Sequence, residues 1–219
     1  MWNEQIIMML LEGIKDTLYM TLTSTLIGYV IGLPMGILLT VTDKDGIHPN
    51  AAVYKVLDVI ANLIRSVPFL ILLIVLIPFT RFLIGRSYGP TATIVPLVIA
   101  AAPYIARMVE SSLKEVDAGV IEAARSMGAS NFTIVTKSHV SGSAYIPDRR
   151  GNHFTWTILG YSAMAGTVGG GGLGDIAIRY GYTRWQTDIM IVTVILLVIL
   201  FQIFQTIGMK LASNLDRRK

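Results

Sequence analysis

Groups able to do chemistry are few in this chain of 219 residues, and their spacing excludes most of the reactions they could serve. Cysteine is absent, which excludes a disulfide framework, a thiolate metal site and a cysteine nucleophile. The three histidines, His48, His139 and His153, are scattered without metal-ligand spacing and read as solvated loop residues. The run from Gly169 through Gly170, Gly171, Gly172 and Leu173 to Gly174 invites comparison with a phosphate cradle. However, the GxxxxGK[ST] pattern is missing, and Asp175 stands where a lysine would be wanted. The run reads instead as a flexible turn or re-entrant segment where backbones pack closely. The chain is expected to hydrolyse no nucleotide and to hold no metal or cofactor of its own.

The elements that must position these sparse groups belong to a membrane protein. The sequence is 53% hydrophobic and 15% charged, with a mean hydropathy of +0.61, where soluble domains carry roughly 25% charged residues. Its charges are also unevenly spread. Residues 17–42, 87–106 and 189–209 contain none, and about 20 mainly apolar residues suffice to cross a hydrocarbon core about 30 Å thick. Residues 59–80 are equally apolar apart from Arg65 near the start, whose long side chain can reach the headgroups. A further candidate, 155–173, starts beside the polar Asn152 and His153 and ends in the glycine run. Five spans are therefore expected, in one domain covering 1–219. The centres of these spans hold no Asp or Glu. A proton- or sodium-coupled carrier needs such a group, so energy for uphill movement is expected to enter from outside the spans.

Five spans place the termini on opposite faces and sort the basic residues into unequal sets. Lys15, Arg81, Arg86, Arg179 and Arg184 fall on one face, and the remaining thirteen fall on the other. The positive-inside rule assigns the thirteen to the cytoplasm, with the N-terminus outside and the C-terminus inside. The pI of 9.4 thus reflects charges flanking spans, whose counterpart is anionic lipid rather than nucleic acid. Residues 1–16 have apolar side chains at helical spacing and read as an interfacial segment. Glu4 and Glu12 argue against a signal peptide.

The longest cytoplasmic segment, 107–150, holds the most informative stretch. From Gly119 it reads Val120, Ile121, Glu122, Ala123, Ala124, Arg125, Ser126, Met127, Gly128, Ala129. Ile121 to Met127 favours helix, and Gly128 is a natural stop because it tolerates the left-handed conformation. On residue chemistry alone, this is an amphipathic helix resting on the membrane face. The order Glu-Ala-Ala, three residues, Gly resembles the cytoplasmic coupling motif of ABC importer permeases. In that family the loop docks into a separate ATPase subunit. The resemblance implies that Glu122, Ala123, Ala124 and Gly128 make that contact. It also implies the type I importer permease fold, an all-α arrangement of five transmembrane helices with a cytoplasmic coupling helix. The implied partners are a second copy of the permease, two ATP-binding subunits that hold ATP and Mg, and an extracytoplasmic binding protein.

The likeness extends along most of the chain. Asn62 to Phe69 resembles the start of the second span in amino-acid permeases, and Ala102 to Glu110 resembles the end of their third. Gly160 to Met164, the glycine run and Tyr180 to Tyr182 are similar to permeases of methionine uptake, which implies a D/L-methionine importer of the bacterial cytoplasmic membrane. The alternatives are a permease for another amino acid, or a scaffold or enzyme of the membrane. The likeness lapses over 138–155, where Asp148, Arg149, Arg150, Asn152 and His153 stand in place of an apolar run. A local reading-frame change, a sequencing error and a divergent loop would each give this pattern. For the substrate path, Tyr161, Ser162 and Met164 combine hydroxyls with a soft thioether near mid-span, and Met164 is a candidate apolar plug on a dimer axis. Pro34, Pro68, Pro78, Pro96 and Pro103 fit bent or closely packed helices.

Overall fold

A computed structural model describes residues 3–114, 119, 122–123, 126–129 and 149–215, without the side chains of 149–156 and 211–215. Among the described residues all regular structure is helical. The elements are α1 (Glu4–Thr42), α2 (Ala51–Ser66), α3 (Phe69–Val75), α4 (Ile77–Ile84), α5 (Pro90–Lys114), α6 (Arg149–Ala165), α7 (Gly172–Ile176) and α8 (Thr187–Leu215). A 3-10 turn at Gly166–Val168 and a π-helical turn at Ala177–Tyr182 flank α7. Helices α1, α5 and α8 are each long and apolar enough to cross a membrane.

Asn3 caps α1 by accepting from the Ile6 amide at 3.0 Å. The helix then runs 39 residues, about 58 Å at 1.5 Å per residue, which exceeds the hydrocarbon thickness. The expected interfacial segment ending at Asp16 is therefore no separate element. The helix is continuous from Glu4 to Thr42 and accommodates Pro34, which lacks an N–H to donate, within it.

The expected span 59–80 is not one helix. Pro68 has no N–H and pushes Val67 into the extended region (φ −86°, ψ 126°), and α2 and α3 meet there at 106°. A second break follows at Leu76, with Pro78 in the first turn of α4. Helix α5 absorbs Pro96 and Pro103 and continues to Lys114, so residues 107–114, expected in the cytoplasmic loop, are helical. The expected span 155–173 is also divided. Its helix ends at Ala165, and the chain turns through Gly169 and Gly171, both at positive φ. Residues 130–148, which include most of the atypical polar stretch, lie outside the described residues.

Helix α1 packs on α5 through Gly28, Gly32 and Gly36, spaced one per turn. A Cβ added at Gly32 would lie 2.5 Å from the Ala102 carbonyl oxygen, and one at Gly36 would lie 2.5 Å from that of Ala106. Small residues let the two backbones touch, which is how helices gain packing where lipid competes for apolar surface. One core cluster, including Met20, Phe69, Leu97, Ile105 and Ile158, joins α1, α3, α5 and α6. A second joins α1, α6, α7 and α8 through Leu10, Leu159, Leu173, Ile189 and Leu200. The glycine run lies between them as a packed corner. The Gly89 amide donates to the Gly169 carbonyl at 2.9 Å. The Leu173 amide donates to Thr17 Oγ1 at 2.9 Å, and Thr93 Oγ1 donates to the Gly170 carbonyl at 3.2 Å. The close backbone packing expected there is what these bonds describe.

Candidate functional site

Beyond α5, Gly119, Glu122, Ala123 and Ser126 have helical backbone. The Met127 amide donates to the Ala123 carbonyl at 3.1 Å, and Ser126 Oγ donates to the Glu122 carbonyl at 3.0 Å. Gly128 closes this turn at φ +80°, a conformation that costs glycine little and a branched residue much. Glu122, Ala123 and Gly128 are exposed, while Ala124 lies outside the described residues. An exposed carboxylate on a short, small-sided helix end can fill a groove on another surface. It offers no nucleophile with an adjacent base.

The C-terminal part of α5 shares a polar network with α2 and the C-cap of α1. Arg107 on α5 donates through Nη1 to Glu110 Oε2 at 2.7 Å. Through Nη2 it donates to Asp58 and to Asn62 Oδ1 on α2, the latter at 3.0 Å. Glu110 Oε1 accepts from Lys114 Nζ at 2.8 Å and from the Tyr54 hydroxyl at 3.3 Å. Lys114 also pairs with Asp43, the C-cap of α1, at 2.7 Å. This hydrogen bond from Lys114 holds the Asp43 carboxyl below the usual carboxylate range. The Glu110 side chain is only 6% exposed. Stripping a partner from such a buried charge costs about 3–5 kcal/mol. An exposed pair such as Lys44–Asp45 contributes about 0–1 kcal/mol.

The network escapes sequence reasoning because Asp58 and Arg107 stand 49 residues apart. Spacing does hold a signal. Asp58 and Asn62 are one turn apart on α2, while Arg107, Glu110 and Lys114 recur at three- and four-residue intervals on α5, so each set shares a helix face.

The three candidate path residues lie on α6, and helical geometry separates them. Tyr161 is half-buried and stacks on Phe69, with ring centroids 4.2 Å apart and planes 3° apart. Met164, one turn along, is 50% exposed. Ser162 lies about 100° around the helix from Tyr161, where it is buried and donates to the Leu159 carbonyl at 2.7 Å. Tyr161 and Met164 are therefore available to a partner or a substrate, and the Ser162 hydroxyl is turned back onto its own helix.

Comparison with known proteins gives a consistent result. Residues 28–219 match the family of binding-protein-dependent transport system inner membrane components. A probable D-methionine transport system permease protein of Vibrio cholerae is 44% identical over 210 residues, covering 96% of this chain and 93% of its own length. The D-methionine transport system permease protein of Escherichia coli K12 is 45% identical over 164 residues, 75% of this chain and 76% of its own. Among solved structures, an inward-facing MetNI methionine ABC transporter superposes with a TM-score of 0.93 at 43% identity, over 99% of this chain and 100% of that one. A chain of an amino acid ABC transporter shares the fold with a TM-score of 0.73 at 20% identity. The chain thus belongs to the family of inner membrane components of binding-protein-dependent transport systems.

Proposed function

We propose that the chain is the permease of an ATP-driven importer that carries methionine across the inner membrane. The strongest support is the correspondence with the MetNI methionine transporter along 99% of the chain at 43% identity. ATP hydrolysis belongs to separate subunits, which hold the ATP and Mg. In this reading two permease copies surround a shared cleft. Two ATPase subunits grip the exposed segments around Glu122 and Gly128, and an extracytoplasmic binding protein delivers substrate. The thirteen basic residues on one face favour an external N-terminus and a cytoplasmic C-terminus. The chain crosses five times, with α3 and α4 together serving as the second crossing. Tyr161 and Met164 face the cleft, and the flexible Met164 thioether closes it.

Movement of the ATPase subunits reaches the helices as a rigid-body displacement. Co-purification with the ATPase tests the reading. The assembled complex hydrolyses ATP faster when the binding protein is added, and replacement of Glu122, or of Gly128 by a β-branched residue, abolishes that stimulation. A membrane scaffold would show neither effect.

A further inference from the structure

We infer that Arg107 is a positioning residue that ties α2 to α5, so that a push on the segment around Glu122 displaces the two helices together. This rests on the importer reading above. Lys114, the last residue of α5, is eight positions before Glu122, so a displacement of that segment has its shortest covalent route into α5. Nothing covalent transmits it to α2, which is joined to α5 only through α3 and α4. Packing within the protomer grips α2 weakly, because Ala61 is its one buried residue. Helix α1 differs, since its glycines interlock with the α5 backbone.

The hydrogen bonds between α2 and α5 centre on Arg107 and Glu110, and the Arg65 guanidinium of α2 lies over the Tyr104 ring of α5 at 5.9 Å. Arg107 spans Asp58 and Asn62 on one side and Glu110 on the other, and Glu110 in turn accepts from Tyr54 of α2. Asn62 Nδ2 donates to Asp58 at 3.1 Å, holding both acceptors in place for the guanidinium. A planar fork with several donors suits a strut, because it resists rotation as well as separation. Helix α2 leads directly into the 106° bend and then into Phe69, which stacks on Tyr161. A displacement of α2 therefore reaches the residues facing the proposed cleft.

The test uses the complete complex in vesicles, with the ATPase subunits and the methionine-binding protein. It measures methionine taken up per ATP hydrolysed. In Arg107→Ala and Asp58→Asn the complex is expected to assemble and hydrolyse ATP, with uptake per ATP lowered at least about fivefold, the lower end of ordinary coupling between sites. Arg107→Lys retains charge without the fork and is expected to recover only part of the ratio. The exchange Asp58→Arg with Arg107→Asp restores more of it than either change alone. If Arg107→Ala does not assemble, Asp58→Asn decides, since it keeps side-chain volume and removes only the interhelical charge. Wild-type ratios in the assembled variants overturn the strut and leave the importer standing. A wild-type complex that hydrolyses ATP without taking up methionine overturns the importer reading itself.

Discussion

The rings of Phe69 and Tyr161 lie parallel with centroids 4.2 Å apart, joining the first turn of α3, just past the bend at Pro68, to the C-terminal part of α6. A stacked pair of this kind contributes about 0.5–1.5 kcal/mol beyond the area it buries. Tyr161→Phe keeps the stack and is expected to leave thermal stability in detergent within about a degree or two, whereas Tyr161→Ala lowers it clearly. Uptake separates the two roles of the side chain. If Tyr161→Phe transports normally, the ring and not the hydroxyl serves the cleft.

The glycine seam gives a sharper contrast. A methyl at Gly32 meets the Ala102 carbonyl oxygen at 2.5 Å, while one at Gly160 meets nothing among the described residues nearer than the Phe201 ring tip at 3.8 Å. Gly32→Ala forces α1 off α5 and is expected to cost about 1–3 kcal/mol. Gly160→Ala is expected to be tolerated. Equal melting temperatures for the two variants would refute the close approach of α1 and α5.

Gly128 is limited by conformation, since its φ is +80° and nothing among the described residues lies within 4 Å of an added Cβ. Asn tolerates the left-handed region better than Ala, and a β-branched residue tolerates it least. ATPase stimulation in the complex is therefore expected to fall in the order Gly, Asn, Ala, Val. A Val variant as active as wild type would remove the turn from the mechanism.

Met164, half exposed on α6, is expected to raise substrate leak and basal ATP hydrolysis when replaced by Ala. Unchanged leak in reconstituted vesicles would reduce it to a packing residue.

The Asp43–Lys114 contact carries a pH signature. Because the hydrogen bond from Lys114 lowers the Asp43 pKa from its usual 3.8, its stabilisation is fully present above that value. It is lost as pH falls through the lower folded value. Its contribution is expected to be constant from pH 7 to about 5 and to fade below about pH 4, by about 1 kcal/mol, since water reaches the Lys114 partner. Acid titration of Asp43→Asn should lack that part of the loss.

Different parts of this architecture were legible to different degrees. The uncharged runs 17–42, 87–106 and 189–209 mark the apolar parts of α1, α5 and α8 well, since the part of a helix that lies in hydrocarbon must exclude charge. The break in 59–80 was harder to read, because Pro34, Pro96 and Pro103 are absorbed within helices while Pro68 and Pro78 stand at breaks. Local sequence does not distinguish them. Gly128 was legible as a stop because its conformational freedom is intrinsic. Gly28 and Gly32 were not, since their importance lies in Ala101, Ala102 and Ile105 across the seam. The Arg107 network was hidden for the same reason, as its partners meet only once α2 folds against α5. Helix rotation removed Ser162 from the face shared by Tyr161 and Met164, although all three are near neighbours in the chain.

The central claim is that a separate ATPase drives this chain through the short segment around Glu122. The direct measurement is accumulation of labelled methionine in vesicles holding the permease, its ATPase subunits and the binding protein. The account predicts accumulation only with ATP and all three components, and its loss when Glu122 and Gly128 are replaced. Accumulation by the permease alone, or undiminished accumulation with both residues replaced, would contradict it.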